Sequence, residues 1–290
     1  MKLKNSTWKL RNCTKNEKVM VVSRFGTTLR YICIEINFTA MKIELIGFDY
    51  NLNPNHKLDL VKEIINGSDA DLILFPGHTL RNYDDLDYLE DEITNTKSTV
   101  VLEIEDTCPT SCLHLHNALF LIREGESEEM FTSQIFATAE DINGFDVLME
   151  KLLDEIPRRQ FECCGKRFTV LLCGETALLA SSKAEGYKAS FRFKNNPELN
   201  KRYEQLLAST DVFLNPIHDL QGEQGVMAQR RATFSTDGRY YMSTCALNEE
   251  MWGKFNSKRI QYICHDGEEL TVKPDIHDDE GYVSRIIEIK

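Results

Sequence analysis

From Met41 onward, short unbroken apolar runs take turns with segments whose apolar residues recur at helical spacing. KIELIGFDY predicts a strand and LDLVKEIINGS a helix that stops at Gly67. DLILFPG predicts a buried strand ended by Pro76, DLDYLEDEITNT a short acidic helix, and STVVLEIED another strand. HNALFLIREG is a strand and EMFTSQIFA a strand or turn. FDVLMEKLLDEI suits a helix. RFTVLLC is a buried strand, NKRYEQLLAST a helix, DVFLNP a strand and QGVMAQRRATFSTDG a helix. RYYMSTCAL, RIQYICHDG and EELTVK add strands, with a hairpin through Asp266-Gly267, and YVSRIIEIK closes the chain. Strands outnumber helices and the two alternate, so the pattern predicts an α/β protein with a mixed sheet system packed in layers around one core.

No repeat or low-complexity linker divides residues 41–290, which favours one domain there. Residues 1–40 differ. They carry eight Lys or Arg against only Glu17 and Glu35, while the whole chain has a formal net charge of −12. This stretch is expected to be a basic arm or an upstream segment outside the domain, and no function is placed on it. The overall acidity argues against nucleic acid or an anionic membrane surface as partner. No apolar run approaches the roughly 20 residues that span a bilayer. Nine cysteines without regular spacing read as reduced thiols, so a cytoplasmic location is expected.

The run RFTVLLCGE ends in a cysteine, a glycine and a glutamate. Gly174 allows a tight turn, and a thiol there projects beyond the strand end, where open α/β sheets place their chemistry. Cys173 therefore has two readings, a buried core thiol or a nucleophile. Cys108, Cys112, His114 and His116 offer four zinc-type ligands, but the spacing matches no common zinc module, and no metal or cofactor is expected. Cys163-Cys164 is a vicinal pair that core packing or exposure explains equally well. Glycine-rich nucleotide loops and the Gly-x-Ser-x-Gly motif are absent from the sequence.

Taken in order, ADLILFPG, STVVLEIED, HNALFLIREG, RFTVLLCGE, DVFLNP and QRRATFSTDGRYYMSTCALN resemble the carbon–nitrogen hydrolase (nitrilase/amidase) superfamily. The resemblance covers nearly all of residues 41–290. It implies an αββα sandwich with mixed sheets, a cysteine nucleophile at a strand-to-helix turn, a glutamate base and a lysine that stabilises the tetrahedral intermediate. The nucleophile falls on Cys173, with Glu175 two positions later. Asn117 and the pair Arg231-Ala232 also fit the family pattern. The glutamate and lysine do not carry over: Gly77 stands after Phe75-Pro76, and the segment FTSQIFATAE offers Gln134 and no lysine.

A thiol needs a base, and a developing oxyanion needs donors. Gly77 can accept no proton, and Gln134 brings a donor without charge. His78, at the same strand end, is the candidate base beside Cys173, with Glu103 or Glu175 as alternatives if they point into the cleft. Glu175 also suits a turn-tying role through backbone N–H bonds. Asn215 and His218, in the loop after DVFLNP, are candidates for the substrate pocket. By resemblance the chain is expected to be a thiol hydrolase of a small amide or nitrile, and a homodimer. The competing expectation is a degenerate member that keeps the fold and binds a ligand or protein partner without turnover.

Overall fold

Capping side chains and β-branched runs set the elements of this computed structural model. It describes residues 18–25, 28–35, 40–106, 116–181, 188–219, 224–246, 260–277 and 279–290. The chain divides into two units. In the first, Met1–Met41 with Ile289–Lys290, strands β1 (Lys18–Phe25) and β2 (Thr28–Glu35) form an antiparallel hairpin. The second unit, Lys42–Glu288, carries two large sheets.

One sheet is seven-stranded. Strands β3 (Met41–Phe48), β4 (Leu72–Leu74) and β5 (Thr99–Asp106) run parallel, and β6 (His116–Arg123) and β7 (Glu126–Glu129) add antiparallel beyond β5. The C-terminal pair β16 (Asp275–His277) and β17 (Tyr282–Ile289) extends the sheet on the β3 side. Helices α1 (Pro54–Gly67) and α2 (Tyr83–Glu92) link the parallel strands, as parallel pairing requires. Asn53 caps α1 by accepting from the Asn55 and His56 N–H groups, and Pro54 sits at the first turn, where no N–H is missed. Leu60, Val61, Ile65, Leu86 and Leu89 pack against Phe75, Val100, Leu102 and Ile104. Strand residues alternate between faces, so the fully buried Val101 and Glu103 point away from these helices.

The other sheet is six-stranded. Strands β9 (Lys166–Val170), β12 (Val212–Asp219) and β13 (Tyr240–Ala246) run parallel. β8 (Gln160–Cys163) flanks β9, while β14 (Gln261–His265) flanks β13 and β15 (Glu268–Glu269) pairs with β14 at the edge, all antiparallel. The β14–β15 turn is Asp266-Gly267, both residues with positive φ, as a two-residue hairpin demands. Helices α3 (Asp146–Glu155), α4 (Pro197–Ala208) and α5 (Gln224–Phe234), with a short hairpin of β10 (Leu179–Ser181) and β11 (Ala189–Phe191), contribute to a core with Phe213 and Tyr241 of this sheet.

The helix-free faces of the two sheets meet. Gln261 Nε2 donates to Leu45 O at 2.6 Å, Thr244 Oγ1 donates to Ile46 O, and Gly77 N donates to Ile217 O at 3.1 Å. The layers are therefore helix, sheet, sheet, helix. Several boundaries differ from the sequence reading. β9 ends at Val170, not at Leu172, and EMFTSQIFA forms no strand beyond Glu129. The short strands β8, β10, β11 and β16 carry too few residues to show a period. No described helix is long and apolar enough to cross a membrane.

Candidate functional site

The polar residues of interest gather at one end of the inter-sheet layer. After β9 the chain runs through the buried Leu171 and Leu172 into a 3₁₀ turn, Cys173–Leu178. Cys173 is half-buried and holds a φ of 27°, a region that β-carbon-bearing residues seldom occupy. The strain thus falls on the cysteine itself. Gly174 is required for a different reason from the one expected of a tight turn: a β-carbon there would overlap the Ala137 carbonyl, because the segment carrying residues 134–137 passes directly over the turn.

Three buried groups fix this turn. Glu175 is 0% exposed, and its Oε2 accepts from Leu172 N at 2.8 Å and from the guanidinium of the equally buried Arg159. Its Oε1 accepts from Ile135 N at 2.8 Å. Burial pushes the Glu175 carboxyl up, while Arg159 and the two N–H donors pull it back toward the charged form. Arg159 also donates to Thr132 Oγ1 and Ser133 O, so one ion pair ties the overlying segment to the Cys173 turn. From β12, Asn215 donates to Leu171 O and Cys173 O while its Oδ1 accepts from Tyr241 OH at 2.7 Å. Glu175, read both as a substrate-side residue and as a tie for the turn, and Asn215, a pocket candidate, are wholly buried; Glu175 accepts backbone N–H bonds and the Asn215 amide donates to the turn.

Gln134 is also buried, and its amide donates to Phe136 O at 2.9 Å, within its own segment. Asn117 lies in β6, where only the backbone is described, and Arg231 stacks on the Tyr262 ring at 3.6 Å. Cys108, Cys112 and His114 lie outside the described residues, as does the side chain of His116.

Across from the turn stand Glu103 of β5 and His218 of β12, one from each sheet. His218 Nε2 and Glu103 Oε2 are 2.8 Å apart, and the Glu103 side chain is 0% exposed. His218 also hydrogen-bonds the Cys173 side chain. Burial opposes charge on the His218 ring, but the Glu103 carboxylate and the Cys173 sulfur outweigh it and hold the ring up at about 10. His78 N donates to Glu103 Oε2 at 3.3 Å, and the His78 ring stacks on that of His218, with centroids 3.6 Å apart. His78 has φ 56°, and its carbonyl accepts from Lys57 Nζ at 3.0 Å.

Gly77 explains how this arrangement fits. A β-carbon at residue 77 would overlap the His218 ring at Cδ2 and lie 2.7 Å from Glu103 Oε2. The absent side chain is the room that the His218 ring and the Glu103 carboxylate occupy. Sequence reading put His78 in the base position and His218 in the pocket. The described contacts give His218 the bonds to both Glu103 and Cys173. The signal for Glu103 was present in the sequence: it is a lone acid inside the apolar run TVVLEI, on the face opposite Leu102 and Ile104. Among the described residues, ligand atoms of His78, Glu103 and His218 all lie within 4.8 Å of one another, the one group able to hold a metal ion.

No protein-family model and no curated protein sequence matches this chain. Among solved structures it is similar to a glutamine-dependent NAD(+) synthetase from Cytophaga hutchinsonii, with a TM-score of 0.50 at 13% identity. That match covers 87% of this chain and 43% of the synthetase, so the chain spans less than half of that protein. It is also similar to NitN amidase from Neterenkonia sp. AN1, at 12% identity and TM-score 0.46 over 84% of this chain and 92% of that one. A carbon–nitrogen hydrolase from Helicobacter pylori G27 aligns at 9% identity and TM-score 0.48 over 86% and 89% of the two chains. At these identities the likeness is one of architecture. With two mixed sheets face to face and helices outside both, the chain has the nitrilase-like αββα fold.

Proposed function

We propose that the protein is a thiol hydrolase of small amides in which Cys173, His218 and Glu103 act as nucleophile, base and orienting carboxylate. The single observation that carries this reading is the His218 ring, hydrogen-bonded to Cys173 and 2.8 Å from the buried Glu103 oxygen. A nucleophile within reach of a base that a third group orients is the arrangement nucleophilic catalysis needs. The resemblance in sequence supplies the expected position of the nucleophile. The carboxylate that the family carries after Phe-Pro is replaced by one from the neighbouring strand, with a histidine between it and the sulfur.

In this mechanism the Cys173 proton already rests on the His218 ring, and the thiolate attacks the amide carbon. The C–N bond of the tetrahedral intermediate then breaks, and the His218 imidazolium gives its proton to the leaving amine. Water, deprotonated by the now neutral ring, attacks the thioester; the acid leaves, the Cys173 thiolate is released and the proton stays on His218. Glu103 keeps the ring oriented and stabilises its charged form throughout. A ring that readily holds a proton suits an amide, whose leaving amine must be protonated, better than a nitrile. Arg159–Glu175 and Asn215 position the turn without touching the reacting atoms.

The test is release of ammonia from a panel of short aliphatic amides, with mass spectrometry of the quenched protein. Acylation of Cys173, absent in Cys173→Ala and strongly reduced in His218→Ala, supports the reading. No turnover, together with a Cys173 thiol that alkylates no faster in the wild type than in His218→Ala, would overturn it and leave a non-catalytic fold member.

A further inference from the structure

We infer that His78, Glu103 and His218 form a binding site for one divalent transition-metal ion of the zinc class, with the Cys173 sulfur as a fourth ligand. Two imidazoles, a carboxylate and a thiolate are the ligand types that zinc takes in tetrahedral sites. One ligand atom from each of His78, Glu103 and His218 lies within 4.8 Å of the others. In a tetrahedral site two ligands each about 2.1 Å from zinc stand about 3.4 Å apart. Closing the set therefore takes shifts of up to about 1.4 Å, with the half-buried His78 ring turning off its stack on His218 and the Cys173 sulfur, outside this group but bonded to His218, swinging in.

A second observation points to a ligand independently. Glu103 is fully buried, yet among the described residues its Oε1 has no hydrogen-bond partner. A buried carboxylate oxygen without a donor is costly, and a cation satisfies it directly. The supporting contacts resemble those that orient metal ligands. His78 N donates to Glu103 Oε2, and Lys57 Nζ donates to His78 O at 3.0 Å. Lys57 is thereby spent on the backbone and, as a cation beside the site, is held below its ordinary value chiefly by burial. The site is separate from the cysteine–histidine stretch at residues 108–116, where the sequence placed its own metal candidate.

The site itself rests on this geometry. Its consequence for turnover rests on the hydrolase reading: an ion held by His218, Glu103 and Cys173 leaves neither base nor nucleophile, so metal binding would switch the thiol off reversibly. The two ideas separate in experiment, because binding is measured without substrate.

The experiment titrates the metal-stripped full chain with Co²⁺ and follows thiolate-to-cobalt absorption, then repeats the titration with His78→Ala and Glu103→Gln. One equivalent bound to the wild type, weakened about 100-fold or more by either substitution, is the expected result. As a readout independent of any variant's folding, Zn²⁺ should slow iodoacetamide modification of Cys173 in the wild-type protein, and a chelator should restore it. Unchanged Co²⁺ affinity in both variants would place the ion elsewhere and overturn the proposal. So would a Cys173 thiol that zinc fails to protect. Amide hydrolysis without metal binding would sink this inference and leave the proposed function standing; metal binding without hydrolysis would do the reverse.

Discussion

Glu103 and His218 come from different sheets, 115 residues apart in the chain, and meet at 2.8 Å at the end of the inter-sheet layer. The carboxylate is fully buried, and a buried charge persists only where it is paired or hydrogen-bonded. The same contact orients the His218 ring toward Cys173. One pair of residues thus joins the two sheets and arms the candidate nucleophile, so disturbing it should show in both stability and reactivity.

Glu103→Gln keeps a polar side chain of the same size but removes the charge. Burial then acts on His218 without its main counterweight, and the ring should fall from about 10 to its ordinary range or below. Iodoacetamide modification of Cys173 at neutral pH should slow, and any amide turnover should fall by about 10²–10⁴. Ring-proton NMR titration of His218 alongside the alkylation rates checks both. An unmoved titration with intact reactivity would contradict the role given to Glu103.

The raised His218 value also fixes a sign for stability against pH. A ring held at about 10 when folded and near 6.5 when unfolded binds its proton more tightly in the folded state. Its stabilisation is fully present below about pH 6.5 and disappears as pH rises through about 10. Between those limits the loss approaches about 1.4 kcal/mol per pH unit. Urea unfolding of wild type and His218→Gln from pH 6 to 10.5 should show the two curves converging at alkaline pH. Groups that titrate in this window without touching His218 cancel in the difference.

Placing a glutamate at residue 77 should harm this protein. Any β-carbon at Gly77 collides with the His218 ring and crowds Glu103 Oε2. Gly77→Ala is expected to cost about 1–3 kcal/mol, as overpacked sites do, and to push His218 away from Cys173. Gly77→Glu adds a second buried carboxylate beside Glu103 and should be worse on both counts. Thermal melts and Cys173 alkylation rates measure the two effects. A Gly77→Glu variant more reactive than the wild type would show that the ring can vacate the space.

The long elements were legible in the sequence because their periods are long enough to count. LDLVKEIING and NKRYEQLLAST give helices, and STVVLEIED and DVFLNP give buried strands. The turn at Cys173 was legible too, from an apolar run that stops at Cys-Gly. The partners of that turn were not. Which buried acid reaches the sulfur depends on how two sheets register face to face, and no local period encodes that. Gly77 read as a lost base because the chain alone does not show that His218 fills the space it leaves. A site role and a turn-tying role both stayed open for Glu175 because its partner, Arg159, sits 16 positions away in a 3₁₀ turn with no apolar pattern of its own.

That buried ion pair supports the last prediction. Arg159 and Glu175 are both 0% exposed; Arg159 also donates to Thr132 and Ser133, and Glu175 also accepts from the N–H groups of Ile135 and Leu172. Removing one partner strands the other charge in the interior, which typically costs about 3–5 kcal/mol. Arg159→Met should therefore destabilise strongly, because Glu175 loses its cation and Thr132 and Ser133 lose their donor. Glu175→Gln leaves Arg159 unneutralised and should cost a similar amount. The double variant Arg159→Met/Glu175→Leu removes both charges and should recover part of the loss, but the N–H groups of Ile135 and Leu172 then have no acceptor. Its Cys173 should consequently alkylate with altered kinetics even where the fold is restored. Urea unfolding of the two singles and the double gives the coupling energy. Additive losses would mean that the pair acts as two independent anchors instead of one clamp.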